Sequence, residues 1–171
     1  DPNVIWAVGW EQSLNRFNLV TRDRKVYRHD PQDPNSFAAV TAVRFISDRV
    51  DPDIFWIATW GGGLGKFDRR RETFTHHQHD PEDPQSISSN TVYDVMQDSR
   101  GNIWVSTNKG LNKFNKQTGK FKRFDKSAGF DAKIVHNILE DRRGRLWMGT
   151  NIGLVVFDIV DQEVVRVYTA E

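Results

Sequence analysis

Asp98-Ser99-Arg100-Gly101-Asn102-Ile103-Trp104-Val105-Ser106-Thr107-Asn108-Lys109-Gly110-Leu111 decides the fold of this chain, because the chain says it again. Asp141-Arg142-Arg143-Gly144-Arg145-Leu146-Trp147-Met148-Gly149-Thr150-Asn151-Ile152-Gly153-Leu154 keeps the Asp and Gly of the turn, the aliphatic-Trp pair, the Thr-Asn step and the Gly-Leu step. Working outward, the same frame appears twice more. Trp6 is followed by Phe17, Trp56 by Phe67, Trp104 by Phe114 and Trp147 by Phe157, at separations of 11, 11, 10 and 10 residues. Leu14, Leu64, Leu111 and Leu154 each stand three residues before the Phe. Two linkers nearly copy one another, His29-Asp30-Pro31-Gln32-Asp33-Pro34 and His79-Asp80-Pro81-Glu82-Asp83-Pro84. A fixed period of this length is the signature of a repeat architecture.

Each unit reads as four strands. In the third, Val92 to Met96 is apolar and β-prone, and Asp98 to Gly101 is a turn in which Gly101 takes positive φ and Asp98 caps backbone amides. Ile103 to Thr107, Leu111 to Phe114 and Phe121 to Phe124 follow, each set off by a turn signal. Helical spacing of apolar residues is missing, and Gly, Asn, Asp and Pro interrupt every longer stretch. Trp-to-Trp intervals of 50, 48 and 43 residues suit an all-β chain of β-propeller blades. A β-sandwich is the runner-up, but sandwiches do not need near-identical repeats. The expected blades run approximately over 1–37, 38–87, 88–130 and 131–171. The first is partial: Asp1-Pro2-Asn3-Val4-Ile5-Trp6 aligns with Asp51-Pro52-Asp53-Ile54-Phe55-Trp56, so no counterpart of the inner strand Val40 to Ser47 precedes it. Fifteen strands are expected.

The bulk numbers exclude several classes of function. With 24 basic and 23 acidic residues the net charge is +1, which gives no footprint for nucleic acid or an anionic membrane. No apolar run approaches the roughly 18 residues of a membrane span. No signal peptide is visible, and the Asp1-Pro2-Asn3 start reads as a mature or excised segment. The absence of cysteine rules out disulfides and a thiolate zinc site. Six Trp, eleven Phe and three Tyr carry much of the apolar mass.

The stretches 98–111 and 141–154 resemble the two-component regulator propeller repeat: an apolar strand, an Asp and Gly turn, an aliphatic-Trp pair, a Thr, then Gly-Leu and an aromatic. The second unit departs, with the longer turn Ser47 to Asp53 and an unusual Gly61-Gly62-Gly63. WD40 and kelch signatures are missing. The resemblance implies the periplasmic sensor region of a bacterial membrane-bound regulator, chiefly a hybrid histidine kinase or a diguanylate cyclase. It implies signal reception and assigns no signal; from the residues themselves, no Ser/His/Asp set or activated nucleophile has sequence support, and no catalytic residue and no cofactor are expected.

Candidate site residues are weighed against their place in the repeat. One Trp per unit at a fixed position, Trp6, Trp56, Trp104 and Trp147, reads as packing between neighbouring blades. Trp10 and Trp60 differ, because units three and four have Asn108 and Asn151 there. A position that varies between repeats beside a loop is a candidate for stacking a ligand ring. Gly61 and Gly62, next to Trp60, are expected to leave backbone amides open to a ligand. His136, on an inner strand where Val43 and Tyr93 are equivalent, is the fifth candidate. His76, His77 and His79 form the one metal-like cluster. On a strand His77 and His79 share a face, but the strand is outermost, where exposed polar residues are expected, and no metal is assigned. Asp98 and Asp141 are the residues their turn demands rather than paired acids for glycoside hydrolysis. Arg69-Arg70-Arg71 reads as a solvated turn.

The reading that follows is a non-catalytic piece of a sensor, binding a carbohydrate or other small-molecule signal, or a partner. A structural or assembly module is the alternative, and a propeller lyase or glycosidase the third choice. Other blades of the same protein are the expected neighbours. The first blade should present an unpaired inner edge near Trp6, and the flanks of blades one and four should carry apolar residues, so self-association is expected.

Overall fold

The computed structural model describes residues 2–9, 12–38, 40–126 and 129–169. They form fifteen strands and no α-helix. The first sheet holds β1 (Val4–Gly9), β2 (Ser13–Asn18) and β3 (Arg24–Arg28). The second holds β4 (Thr41–Ser47), β5 (Ile54–Trp60), β6 (Leu64–Asp68) and β7 (Thr73–His77). The third holds β8 (Val92–Gln97), β9 (Ile103–Thr107), β10 (Gly110–Phe114) and β11 (Phe121–Phe124). The fourth holds β12 (Val135–Glu140), β13 (Arg145–Thr150), β14 (Gly153–Asp158) and β15 (Glu163–Tyr168). Sequence neighbours are sheet neighbours, all antiparallel, so each sheet is an up-and-down meander. The first is three-stranded with β1 at its edge. These are blades of a β-propeller.

The Asp of the turn between the first two strands of a blade has a second task beyond the turn. Asp98 accepts the amides of Arg100 and Asn102 at 3.0 and 2.8 Å, while Gly101 takes φ 85°. Its other oxygen accepts the indole N–H of Trp104 at 2.8 Å. Asp141 does the same for Trp147 at 2.8 Å. The longer turn of the second blade still delivers an acid: Asp48 accepts from Trp56 at 2.9 Å, although eight residues separate them instead of six. A buried indole N–H needs an acceptor, and the turn supplies it in three blades.

The Trp face of each blade packs on the Phe face of the next. Trp6 meets Phe55 edge-on at 5.2 Å. Trp56 meets Phe114 at 5.2 Å, and Trp104 meets Phe157 at 5.7 Å. Trp104 is fully buried within Leu111, Phe124, Leu146, Met148 and Phe157. Trp147 differs from the expectation: it lies on the outer face of the fourth blade, half-covered by a stacked Tyr168 at 6.0 Å.

Polar latches cross the same interfaces. The amide of Arg49 donates to Gln97 Oε1 at 2.7 Å, and Ser99 donates through its amide and hydroxyl to the Glu140 carboxylate at 2.7 and 2.6 Å. The two copied linkers fold alike. In each, Asp and Ser bond reciprocally (Asp30 with Ser36, Asp80 with Ser86), and a His ring nitrogen bonds a carbonyl, His29 to Phe37 and His79 to Ile87.

The histidine cluster is not the exposed group expected from sequence. His79 lies beyond the end of β7, in the linker. His76 contacts the Ser36 carbonyl at 2.9 Å. His77 pairs with Leu64, as Phe124 pairs with Leu111, and so turns into the blade interface. Its ring sits 4.6 Å from Phe114 and 6.1 Å from Phe121. Burial, aided by the charge of Lys66, lowers its pKa to about 4.

Stability should therefore fall in two stages on acidification. An unfolded His takes a proton near pH 6.5 and the folded His77 only near 4, so its contribution is lost between those values. Asp48 is pulled up by burial, but bonds from Lys116, Trp56 and two amides outweigh this and hold it well below the usual carboxylate range. Asp141 is held low by Trp147 and Arg145. Their stabilisation is complete above the ordinary carboxylate pKa and is lost as pH falls below it. Thermal melts from pH 8 to pH 2 should show both stages. His77→Phe, which restores the residue type of Phe124, should remove the first and keep the second. An unchanged melting profile in that variant would refute the assignment.

Candidate functional site

The inner strands carry a repeated irregularity. Pairing of β4 with β5, β8 with β9 and β12 with β13 shifts register once, at Val43, Tyr93 and His136. A bulge leaves the extra residue unpaired and re-aims its side chain. In the third and fourth blades that side chain is a ring, and the two rings meet at 5.3 Å. Trp60, the last residue of β5, meets Tyr93 edge-on at 6.3 Å. Trp60, Tyr93 and His136 thus form one aromatic row across three blades. Trp60 is 42% exposed and His136 is exposed as well.

A buried carboxylate braces the strands beneath the row. Asp94, next to Tyr93, pairs with Arg44 of the second blade at 3.0 Å and accepts the Ile138 amide of the fourth at 2.9 Å. It accepts the Val95 amide as well, at 2.8 Å. Burial raises its pKa against the pull of those amides and of Arg44. One side chain therefore ties together the three inner strands β4, β8 and β12, two of which carry rings of the row.

The candidates taken from sequence fare unequally. Trp60 and His136 are brought into one row, with Tyr93 between them. Trp10 lies outside the described residues. The amides of Gly61 and Gly63 donate to the Asn90 carbonyl at 2.9 and 3.0 Å, and that of Gly62 donates to Thr59 Oγ1 at 3.1 Å. They are not open to a ligand, because the loop folds over Asn90 and closes on itself. The run of glycine is steric: a Cβ on Gly63 would stand 2.2 Å from the His77 carbonyl oxygen, and one on Gly62 would meet Val40 at 2.8 Å. Arg69 stacks over Trp6 and Phe55, and Arg70 and Arg71 pair with Asp53 and Asp68.

Sequence reasoning missed Tyr93 as a site residue. The signal was its equivalence with His136, which places both at the bulge. It also missed a groove of about 520 Å³ lined by Asn108, Lys109, Phe130, Ala132 and Lys133. Asn108 donates its amide to Thr91, which bridges to Trp60, so groove and row adjoin. Asn108 Oδ1 is buried without a hydrogen-bond partner among the described residues. Among those residues no group of three or more His, Asp or Glu could hold a metal ion.

The meander blades define the class of protein, a β-propeller. Residues 86–109 and 129–151 match the family model described as two component regulator propeller, each match spanning an inner strand, the Asp turn and the Trp strand. These two segments of the chain are thus similar to the two-component regulator propeller repeat. Two solved structures with the same fold are extracellular domains of hybrid two component systems of B. thetaiotaomicron. BT3049 is 22% identical over 96% of this chain and 24% of its own, with a TM-score of 0.77. BT4673 is 20% identical over 99% of this chain and 23% of its own, with a TM-score of 0.75. The chain spans about a quarter of their length. No curated protein matches it. Among the described residues no helix is long and apolar enough to cross a membrane.

Proposed function

We propose that this chain is a signal-receiving part of a periplasmic sensor region in a two-component regulator, and that it binds a carbohydrate or other ring-bearing small molecule along the Trp60–Tyr93–His136 row. The observation that carries the reading is the row itself: three rings at repeat positions that vary between blades, set side by side, with Trp60 and His136 exposed. A stacking platform needs ring faces that water can leave cheaply. The adjoining groove, with the unpartnered Asn108 Oδ1 and the cations Lys109 and Lys133, offers polar contacts to fix orientation. The repeat family and the extracellular domains of the same fold support the sensor role and the compartment. The reading assigns no catalysis. Asp98 and Asp141 are occupied by turn amides and indoles, as a structural role requires.

Titration of intrinsic Trp fluorescence with a panel of neutral and acidic oligosaccharides tests this. Binding should quench, and Trp60→Ala should weaken it by at least about tenfold, in keeping with loss of an aromatic anchor. The melting temperature should stay near that of the parent, because Trp60 is partly exposed at a strand end. Undiminished binding in both Trp60→Ala and His136→Ala would overturn the placement of the site.

A further inference from the structure

The groove beside the aromatic row belongs to a frame that recurs, and only its charge is peculiar to the third blade. In the second blade the first linker, the glycine turn after β5 and the end of β7 enclose a groove of about 320 Å³, lined by Asp30, Asp33, Gly62 and His76 among others. In the third blade the copied linker, the turn Asn108-Lys109 and the end of β11 enclose the groove of about 520 Å³. Arg123 stands in the place of His76, since it pairs with Asn112 as His76 pairs with Gly65. Both side chains reach a linker carbonyl, His76 that of Ser36 at 2.9 Å and Arg123 that of Ser86 at 2.8 Å. What the two blades share serves the fold. What the third blade adds is open to function.

The addition is positive charge. Residues 109–133 hold eight basic and two acidic residues, in a chain whose net charge is +1. Away from the groove these cations are occupied: Lys116 and Lys120 pair with Asp48 and Asp83, and Lys113 and Lys122 lie over the rings of Trp104 and Phe124. Four cations and two carboxylates line the groove, which leaves it an excess of positive charge. Asp131 lies against Lys126 at 3.7 Å, and Asp125 is engaged as well. Arg123 donates only to neutral acceptors, the carbonyls of Ser86 and Asp83 and Ser86 Oγ. Lys109 and Lys133 are exposed, and among the described residues neither has a carboxylate within ion-pair distance. The Gly110 amide donates to the Lys133 carbonyl at 2.7 Å, which sets the two lysines on adjoining segments. Asn108 Oδ1 adds a buried acceptor with no donor among the described residues, and Phe130 and Ala132 add an apolar wall.

We infer that the ligand is an anionic oligosaccharide: its acid group, a carboxylate or a sulfate ester, is held by Lys109 and Lys133, a hydroxyl donates to Asn108 Oδ1, and a neighbouring sugar ring lies on Trp60. The inference rests on the aromatic row as the ligand site and adds the charge of the ligand. A buried acceptor without a donor calls for an O–H or N–H from outside. Two free ammonium groups beside it call for an anion, and in a recess partly shielded from water such charge-assisted bonds are stronger than neutral ones. A neutral sugar satisfies the first demand and leaves the second unmet. An acidic sugar unit meets both, and the groove lies within the size range of small-molecule sites.

Calorimetric titration of the whole chain with matched oligosaccharides tests the inference. The probes are oligogalacturonides and hyaluronan fragments, the same oligomers with their carboxylates reduced to alcohols, and galactan fragments with and without sulfate. At least one acidic member should bind about tenfold or more tighter than its neutral counterpart. That margin should shrink as salt is raised, because it is electrostatic. Which arm shows it, uronate or sulfate, identifies the acid group. Lys109→Gln combined with Lys133→Gln should remove the margin and leave the neutral counterpart's affinity and the circular dichroism as in the parent. Trp60→Ala should instead weaken acidic and neutral members alike, so failure of the row and failure of the groove read differently. A neutral member bound as tightly as its acidic counterpart throughout the panel overturns the inference. So does an acid preference that survives the double lysine change. Binding of neutral members alone would overturn it too and leave the row standing.

Discussion

Trp104→Ala should cost about 3–5 kcal/mol, the range for emptying a buried aromatic site. Trp147→Ala should cost less than about 2 kcal/mol, because only one side of that ring is packed. The two residues are equivalent in sequence and differ in what covers them. Trp104 is fully buried between the third and fourth blades, against Phe124 and Phe157 at 5.7 Å. Its loss also removes the indole donor from Asp98 and leaves that buried oxygen one partner short. For a domain of ordinary stability, about 5–15 kcal/mol, such a loss takes a large share of the total. Urea unfolding followed by circular dichroism gives the comparison. Equal midpoints for Trp104→Ala and Trp147→Ala would show that the Trp faces are not the source of stability between blades.

The fold was legible because its determinants are local and repeated. The strands of the third blade were read from turn residues and fall within a residue of β8 to β11. Asp98, Gly101 and Gly110 each impose a backbone geometry that few residues satisfy, so the sequence names the turn directly. The site was less legible because it depends on contacts between blades. Trp60 and His136 stand out as exceptions within the repeat, but nothing in a single unit shows that Tyr93 lies between them. The glycines misled for a related reason. A glycine run signals both exposed amides and close backbone approach, and only the position of the Asn90 carbonyl and of His77 decides between them. His77 shows the same limit. An outermost strand is expected to be polar, yet its pairing with Leu64 turns this ring toward Phe114. The indole-aspartate bond was written in the sequence as a spacing of six residues in two units. The spacing of eight in the unit with the longer turn hid its generality.

Asp98→Ala should be nearly as damaging as loss of the Trp it holds, at about 3–5 kcal/mol, because four donors lose their acceptor together. Asp98 is fully buried, and two of the four are the turn amides of Arg100 and Asn102. The others are the Asn102 side-chain amide at 2.8 Å and the Trp104 indole at 2.8 Å. A buried donor left without a partner costs about 1–3 kcal/mol, and the four are too close to add independently. Asp98→Asn keeps one oxygen for the turn amides but turns an NH2 group toward the indole, so it should fall between alanine and the parent. Asp141→Ala should be milder than Asp98→Ala, since Asp141 lies at the partly exposed Trp147. This ordering separates a structural acid from a functional one. A structural Asp98 lowers the unfolding midpoint, and any effect on ligand binding follows from the folded fraction alone. If Asp98→Ala melted like the parent and lost ligand binding or a hydrolytic turnover, the acid would belong to a site and not to the turn.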